Sequence, residues 1–162
     1  MLRALKAILG IKQLLSIKTE KKKIFFYSEN KNYRNYFLPF IKELKKNLNK
    51  KIFYFTSDIN DFENIEEDLH PIYIGEGFLL MLFFQLIKCD IMVMTLTNLG
   101  ENQIKKVKSC KNYIYFFHSC CSTHKCYEKF AFKNYDTILT VSDFQNKELE
   151  RAENIYNLPK KK

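Results

Sequence analysis

Short apolar runs alternate with longer segments of helical period along most of this chain. Ile24 to Tyr27, Lys51 to Thr56, Ile72 to Ile74, Ile91 to Thr95, Tyr113 to Phe117 and Thr137 to Val141 each span three to six residues. Runs of this kind are typical of strands buried on both faces of a parallel sheet. Between the first two, Tyr36 to Leu48 places Phe37, Phe40, Ile41, Leu44 and Leu48 on one helical face, with Pro39 in its first turn, where proline is tolerated. Gly75 and Gly77 mark the turn into a helix from Phe78 to Ile87, and a shorter helix is expected around Gln103 to Lys108. Ser142 N-caps a helix from Asp143 to about Ile155. Ser57 to His70 is acidic and loop-like. This alternation predicts an α/β fold, a parallel sheet with helices on both faces. No internal repeat or Gly/Ser/Pro-rich linker interrupts it.

A further helix, Leu2 to Ile17, precedes the first strand. Leu5, Ile8, Ile11 and Leu15 fall on one side, flanked by Leu2 and Leu9, and Arg3, Lys6, Gly10 and Gln13 fall on the other. A basic amphipathic helix of this kind lies in a membrane interface, or it packs on its own domain or a partner. The Lys21-Lys22-Lys23 cluster that follows favours an anionic lipid surface. The domain organisation is therefore read as an amphipathic helix over residues 1–22 and an α/β domain over 23–162.

Charge supports that division. The chain carries a formal net charge of +9 at pH 7. Seven basic residues and one acid lie between Met1 and Lys23, and three lysines end the chain, so Ile24 to Pro159 is neutral. No basic footprint for nucleic acid spreads over the body. The five cysteines follow no secretory signal, which predicts reduced thiols, and no run reaches the ~18 apolar residues that would span a bilayer.

Ligands of parallel sheets bind beyond the carboxyl ends of the strands. The segment after the fifth strand, His118 to Tyr127, is the richest in chemistry. His118 stands where an apolar strand meets that edge, placed either to act as a general base on a hydroxyl or simply to cap the strand. Ser122, Thr123 and Lys125 are candidates for phosphate oxygens. Seven lysines and two glutamates between Glu101 and Lys133 make the local surface basic and suited to a polyanion. Cys120, Cys121, His124 and Cys126 lack the paired spacing of structural zinc, so no metal is expected. Gly75-Glu-Gly77 is too short for a dinucleotide fingerprint, and no cofactor is expected.

The order of motifs resembles a known family. Phe25-Phe-Tyr-Ser-Glu29 with Tyr33 and Tyr36 comes first, then Tyr73-Ile-Gly75 and Asp90-Ile-Met-Val-Met-Thr95. Tyr115-Phe-Phe-His118 with Ser122-Thr-His-Lys125 follows, and then Phe132-Lys-Asn-Tyr-Asp-Thr137 with Asn157-Leu-Pro159. From about Lys22 onward this is similar to the N-terminal domain of CDP-glycerol glycerophosphotransferase-like proteins. The resemblance implies the Rossmann-like N-terminal half of a GT-B fold, and transfer of glycerol phosphate or a related group to a lipid-linked wall or surface polymer. It implies a peripheral protein on the inner face of the bacterial cell membrane. It makes His118 the base, with Ser119, Ser122, Thr123, His124 and Lys125 around the substrate. The family follows this histidine with Gly-Thr-Pro, whereas Ser119 and Cys120 stand here and no proline follows. The donor-binding domain of the family is absent from this sequence, which implies a second chain as partner. Two other classes stay open: a non-catalytic membrane or regulatory module, and a nucleotide-binding domain of unrelated function.

Overall fold

The computed structural model describes residues 2–18, 24–48, 51–62, 69–101, 104–119 and 121–161. The Lys21–Lys23 cluster, Gln103 and Cys120 lie outside them. Helix α1 (Leu2–Ser16) is followed by β1 (Ile24–Ser28), α2 (Lys31–Asn47), β2 (Ile52–Thr56), a 3₁₀ turn (Ile59–Phe62) and β3 (Pro71–Tyr73). Then come α3 (Phe78–Leu86), β4 (Cys89–Met94), β5 (Cys110–Phe116), α4 (Thr123–Cys126), β6 (Thr137–Leu139) and α5 (Asp143–Tyr156).

The six strands form one parallel sheet in the order β3-β2-β1-β4-β5-β6. This is the order of doubly wound dinucleotide-binding sheets, and the chain is a Rossmann-like α/β protein. The direction of winding reverses between β1 and β4, so the strand-end crevice opens there.

Alternation along each strand builds two cores. Ile24, Phe26, Tyr54 and Val93 point to α2 and meet Phe37 and Ile41. Phe25, Tyr27, Phe55, Met92, Met94 and Tyr115 point the other way, to Phe83 and Phe84 of α3 and Ile11 and Leu14 of α1. Phe26, Phe37, Phe55, Phe83 and Phe84 are fully buried. Each contributes roughly 1.5–3 kcal/mol by leaving water.

Three local expectations are corrected. Helix α2 starts at Lys31 because Asn30 caps it, its side chain accepting from the Asn32 amide at 2.9 Å. Pro39 therefore lies inside the helix, on its exposed side, where water can reach the Asn35 carbonyl that proline leaves without a donor. Residues 104–107 form no helix. In α1 the apolar residues do not all face one partner: Ala7, Gly10, Ile11 and Leu14 are buried against α3 and β3. Gly10, placed by its sequence on the polar side, is the closest approach of all. A Cβ there would lie 1.9 Å from the Tyr73 carbonyl oxygen.

Candidate functional site at the strand-end crevice

On β5, Ile114 and Phe116 face α2, and His118 continues that alternation one step past the strand. Phe116 packs on Phe37 and Phe40, with ring centroids at 5.3 and 5.8 Å. His118 then meets the N-terminal turns of the same helix, 4.5 Å from the Tyr33 ring and 5.9 Å from that of Tyr36. The imidazole is half-buried at the lip of the sheet. Its Nδ1 is buried without a hydrogen bond, and the rest of the ring is only partly covered. Burial pulls its pKa below the usual histidine value, and the Phe116 carbonyl, which favours the protonated ring, only partly offsets this. A neutral imidazole at the crevice can accept a proton from an alcohol.

The turn between β1 and α2 is closed by the chain itself. The Asp58 carboxylate accepts from the Lys31 amide at 3.0 Å and from the Asn60 amide at 2.9 Å. Burial acts to raise the Asp58 pKa, but these amide hydrogen bonds outweigh it and hold the carboxyl below its ordinary value. With Asn30 holding the Asn32 amide, the helix N-terminus that cradles a diphosphate in dinucleotide-binding sheets is already occupied. Glu29, half-buried in the same turn, has its pKa raised by burial. On α2, Arg34 is engaged with buried Asp61, donating to its carbonyl at 2.6 Å and lying 3.2 Å from Oδ1.

The residues after His118 separate into two groups. Ser119 is exposed, its hydroxyl 3.4 Å from that of Tyr127. Ser122 and His124 instead turn to α5. The Ser122 hydroxyl donates to Glu148 at 2.5 Å, and His124 Nδ1 lies 3.6 Å from the same carboxylate oxygen. Thr123 is 3% exposed, and its hydroxyl accepts from the Gln145 amide at 2.9 Å. That hydroxyl ties α4 to α5. Lys125 points to solvent. Thus His118 and Ser119 remain at the crevice lip, while Ser122, Thr123 and His124 serve the α4–α5 contact.

Two further features lie near the carboxyl edge of the sheet. A cavity of about 240 Å³ opens between the start of α3 and the turn after β4, lined by Gly77, Leu80, Met81, Leu96, Asn98 and Ile104 among others. The hydroxyls of Tyr115, on the α3 side, and Thr95, whose place after Val93 and Met94 puts it on the α2 side, are buried and without partners. Among the described residues, no three His, Cys, Asp or Glu side chains gather as a metal site, and four cysteines are free thiols.

Tyr33 and Tyr36 were not foreseen as neighbours of His118, nor Asp58 as the group that closes the turn into α2. The available signal was the continuation of the Phe37/Phe40 face one turn back toward the helix start, which puts a tyrosine at the level of the residue after β5. No protein-family model, curated protein or solved structure matches the chain.

Proposed function

We propose that this chain is the acceptor-side half of a GT-B-type transferase akin to the CDP-glycerol glycerophosphotransferases, with His118 as general base. The observation that carries the reading is a half-buried, neutral-favouring imidazole at the carboxyl edge of a Rossmann-like sheet, against the start of α2. Nε2 takes the proton of an acceptor hydroxyl as its oxygen attacks the β-phosphorus of CDP-glycerol. The bond to the CMP oxygen breaks, CMP leaves, and the imidazolium returns its proton to water. The donor is held by the second Rossmann-like domain of the GT-B pair. The acceptor is a lipid-linked, polyanionic surface polymer, whose charge is met by exposed lysines such as Lys125.

Helix α1 supports placement on the inner membrane face. Its small residues Ala7 and Gly10 seat it on the body, which turns Leu2, Leu5 and Leu9 outward at 68%, 55% and 55% exposure, beside exposed Arg3 and Lys6. No helix among the described residues is long and apolar enough to cross a membrane. The same outward ridge favours a second reading, a non-catalytic peripheral module, and turnover separates the two.

The test supplies the chain with a donor-binding domain, covalently joined or added as a separate chain, and follows CMP release from CDP-glycerol. His118→Gln should lower kcat roughly 10²–10⁴-fold, the usual contribution of a positioned base. In the unsubstituted pair the rate should rise with pH until His118 is neutral, and then level off. An unchanged rate in His118→Gln removes the base, and no turnover in any pairing favours the non-catalytic module.

A further inference from the structure

The surroundings of His118 also specify what kind of group can sit there. Three rings, His118, Tyr33 and Tyr36, meet at the lip of the crevice, and Tyr36 is left 49% exposed. Aromatic faces carry negative charge density and attract the weakly positive C–H edges of a sugar or alditol. Beside this shelf the electrostatics disfavour an anion. The first amides of α2, the natural phosphate donors, are held by Asp58 and Asn30. Glu29 and Asp58 place two carboxylates in and against the turn that leads into Tyr33, and Arg34 is committed to Asp61. A phosphate placed here would find the helix end already taken by the Asp58 carboxylate, a like charge. An uncharged hydroxyl-rich group meets neither penalty.

We propose that the Tyr33–Tyr36–His118 shelf binds the uncharged terminal sugar or alditol unit of the acceptor, stacking it on the tyrosines with a hydroxyl toward Nε2. This rests on the transferase reading for the identity of that hydroxyl as the nucleophile. The phosphates of the acceptor are kept off the shelf and lie over the neighbouring loop.

The test is an NMR titration of the full chain. It follows the His118 ring C–H signal, assigned among the three histidines by its loss in His118→Gln. The probes are methyl glucoside and glycerol, with glycerol 3-phosphate and inorganic phosphate as charged counterparts. A neutral probe should shift the His118 signal saturably, glycerol 3-phosphate should bind at least about threefold more weakly than glycerol, and Tyr36→Ala should weaken neutral binding about tenfold, in the range of aromatic stacking losses. Tyr36→Phe should retain the binding. Tyr36 is half in solvent, and an unchanged melting temperature confirms that the fold survives its removal. Tighter binding of either phosphate probe, no shift by any neutral probe, or an unaltered affinity in Tyr36→Ala overturns the proposal. If the shelf fails while His118→Gln still abolishes CMP release, the base stands and only the ligand class is wrong. If the shelf binds and the rate is indifferent to His118, the transferase reading fails and the site is a binding site alone.

Discussion

Replacing Gly10 by alanine reverses the usual sign of a helix substitution. In an exposed helix, Gly→Ala stabilises by about 1 kcal/mol. Here the new methyl carbon would lie 1.9 Å from the Tyr73 carbonyl oxygen and 3.3 Å from an Ile72 methyl. The first is far inside the 3.0 Å limit of real contacts, and the obstacle is backbone in the β3 edge strand. Helix α1 must therefore move away by about 1 Å, and a gap of that size forfeits a quarter to a half of the dispersion energy between the parted surfaces. Full undocking would expose Ile11 and Leu14, roughly 1.5–3 kcal/mol each, which bounds the loss from above. A partial shift costs about 1–3 kcal/mol, as overpacking does elsewhere. After the propensity gain, a net loss of up to about 2 kcal/mol remains. At an m-value of about 2 kcal/mol/M, the urea midpoint should fall, by up to roughly 1 M. Gln13→Ala, on the exposed side of the same helix, should stay within about 0.5 kcal/mol. A rise in the midpoint for Gly10→Ala would refute the docking of α1 on β3.

Two further outcomes follow from the same packing. Thr123→Val should leave the buried Gln145 amide without its acceptor, costing about 1–3 kcal/mol and lowering Tm by about 2–4 °C per kcal/mol, whereas a residue serving only a ligand would leave Tm unmoved. Leu5→Glu with Leu9→Glu should abolish sedimentation with anionic phosphatidylglycerol vesicles while keeping the far-UV CD spectrum, and unchanged sedimentation would remove the membrane face.

The amino-acid sequence by itself determined the architecture. Short apolar runs separated by helical periods leave few alternatives to a parallel sheet covered on both sides, and the places of all six strands are legible because burial on two faces demands unbroken apolar segments. The caps were half legible. Ser142 opens α5 as its sequence announces, its hydroxyl accepting from the Gln145 amide at 3.3 Å, but Asn30 lengthens α2 past the point that Pro39 suggests. His118 was legible too, since its place depends only on where an apolar strand ends.

What the tertiary structure alone decided is the company each side chain keeps. Periodicity orients a residue about its own element but carries no information on the element opposite. Nothing in the chain states that Gly10 faces a carbonyl 63 residues away, or that Tyr33 lies at the level of His118. The same holds for Thr123, whose hydroxyl looks available until Gln145 arrives from α5. These contacts arise when long-range burial brings separate segments together, and a polar group between them is then claimed by its nearest partner because leaving it unpaired costs about 1–3 kcal/mol.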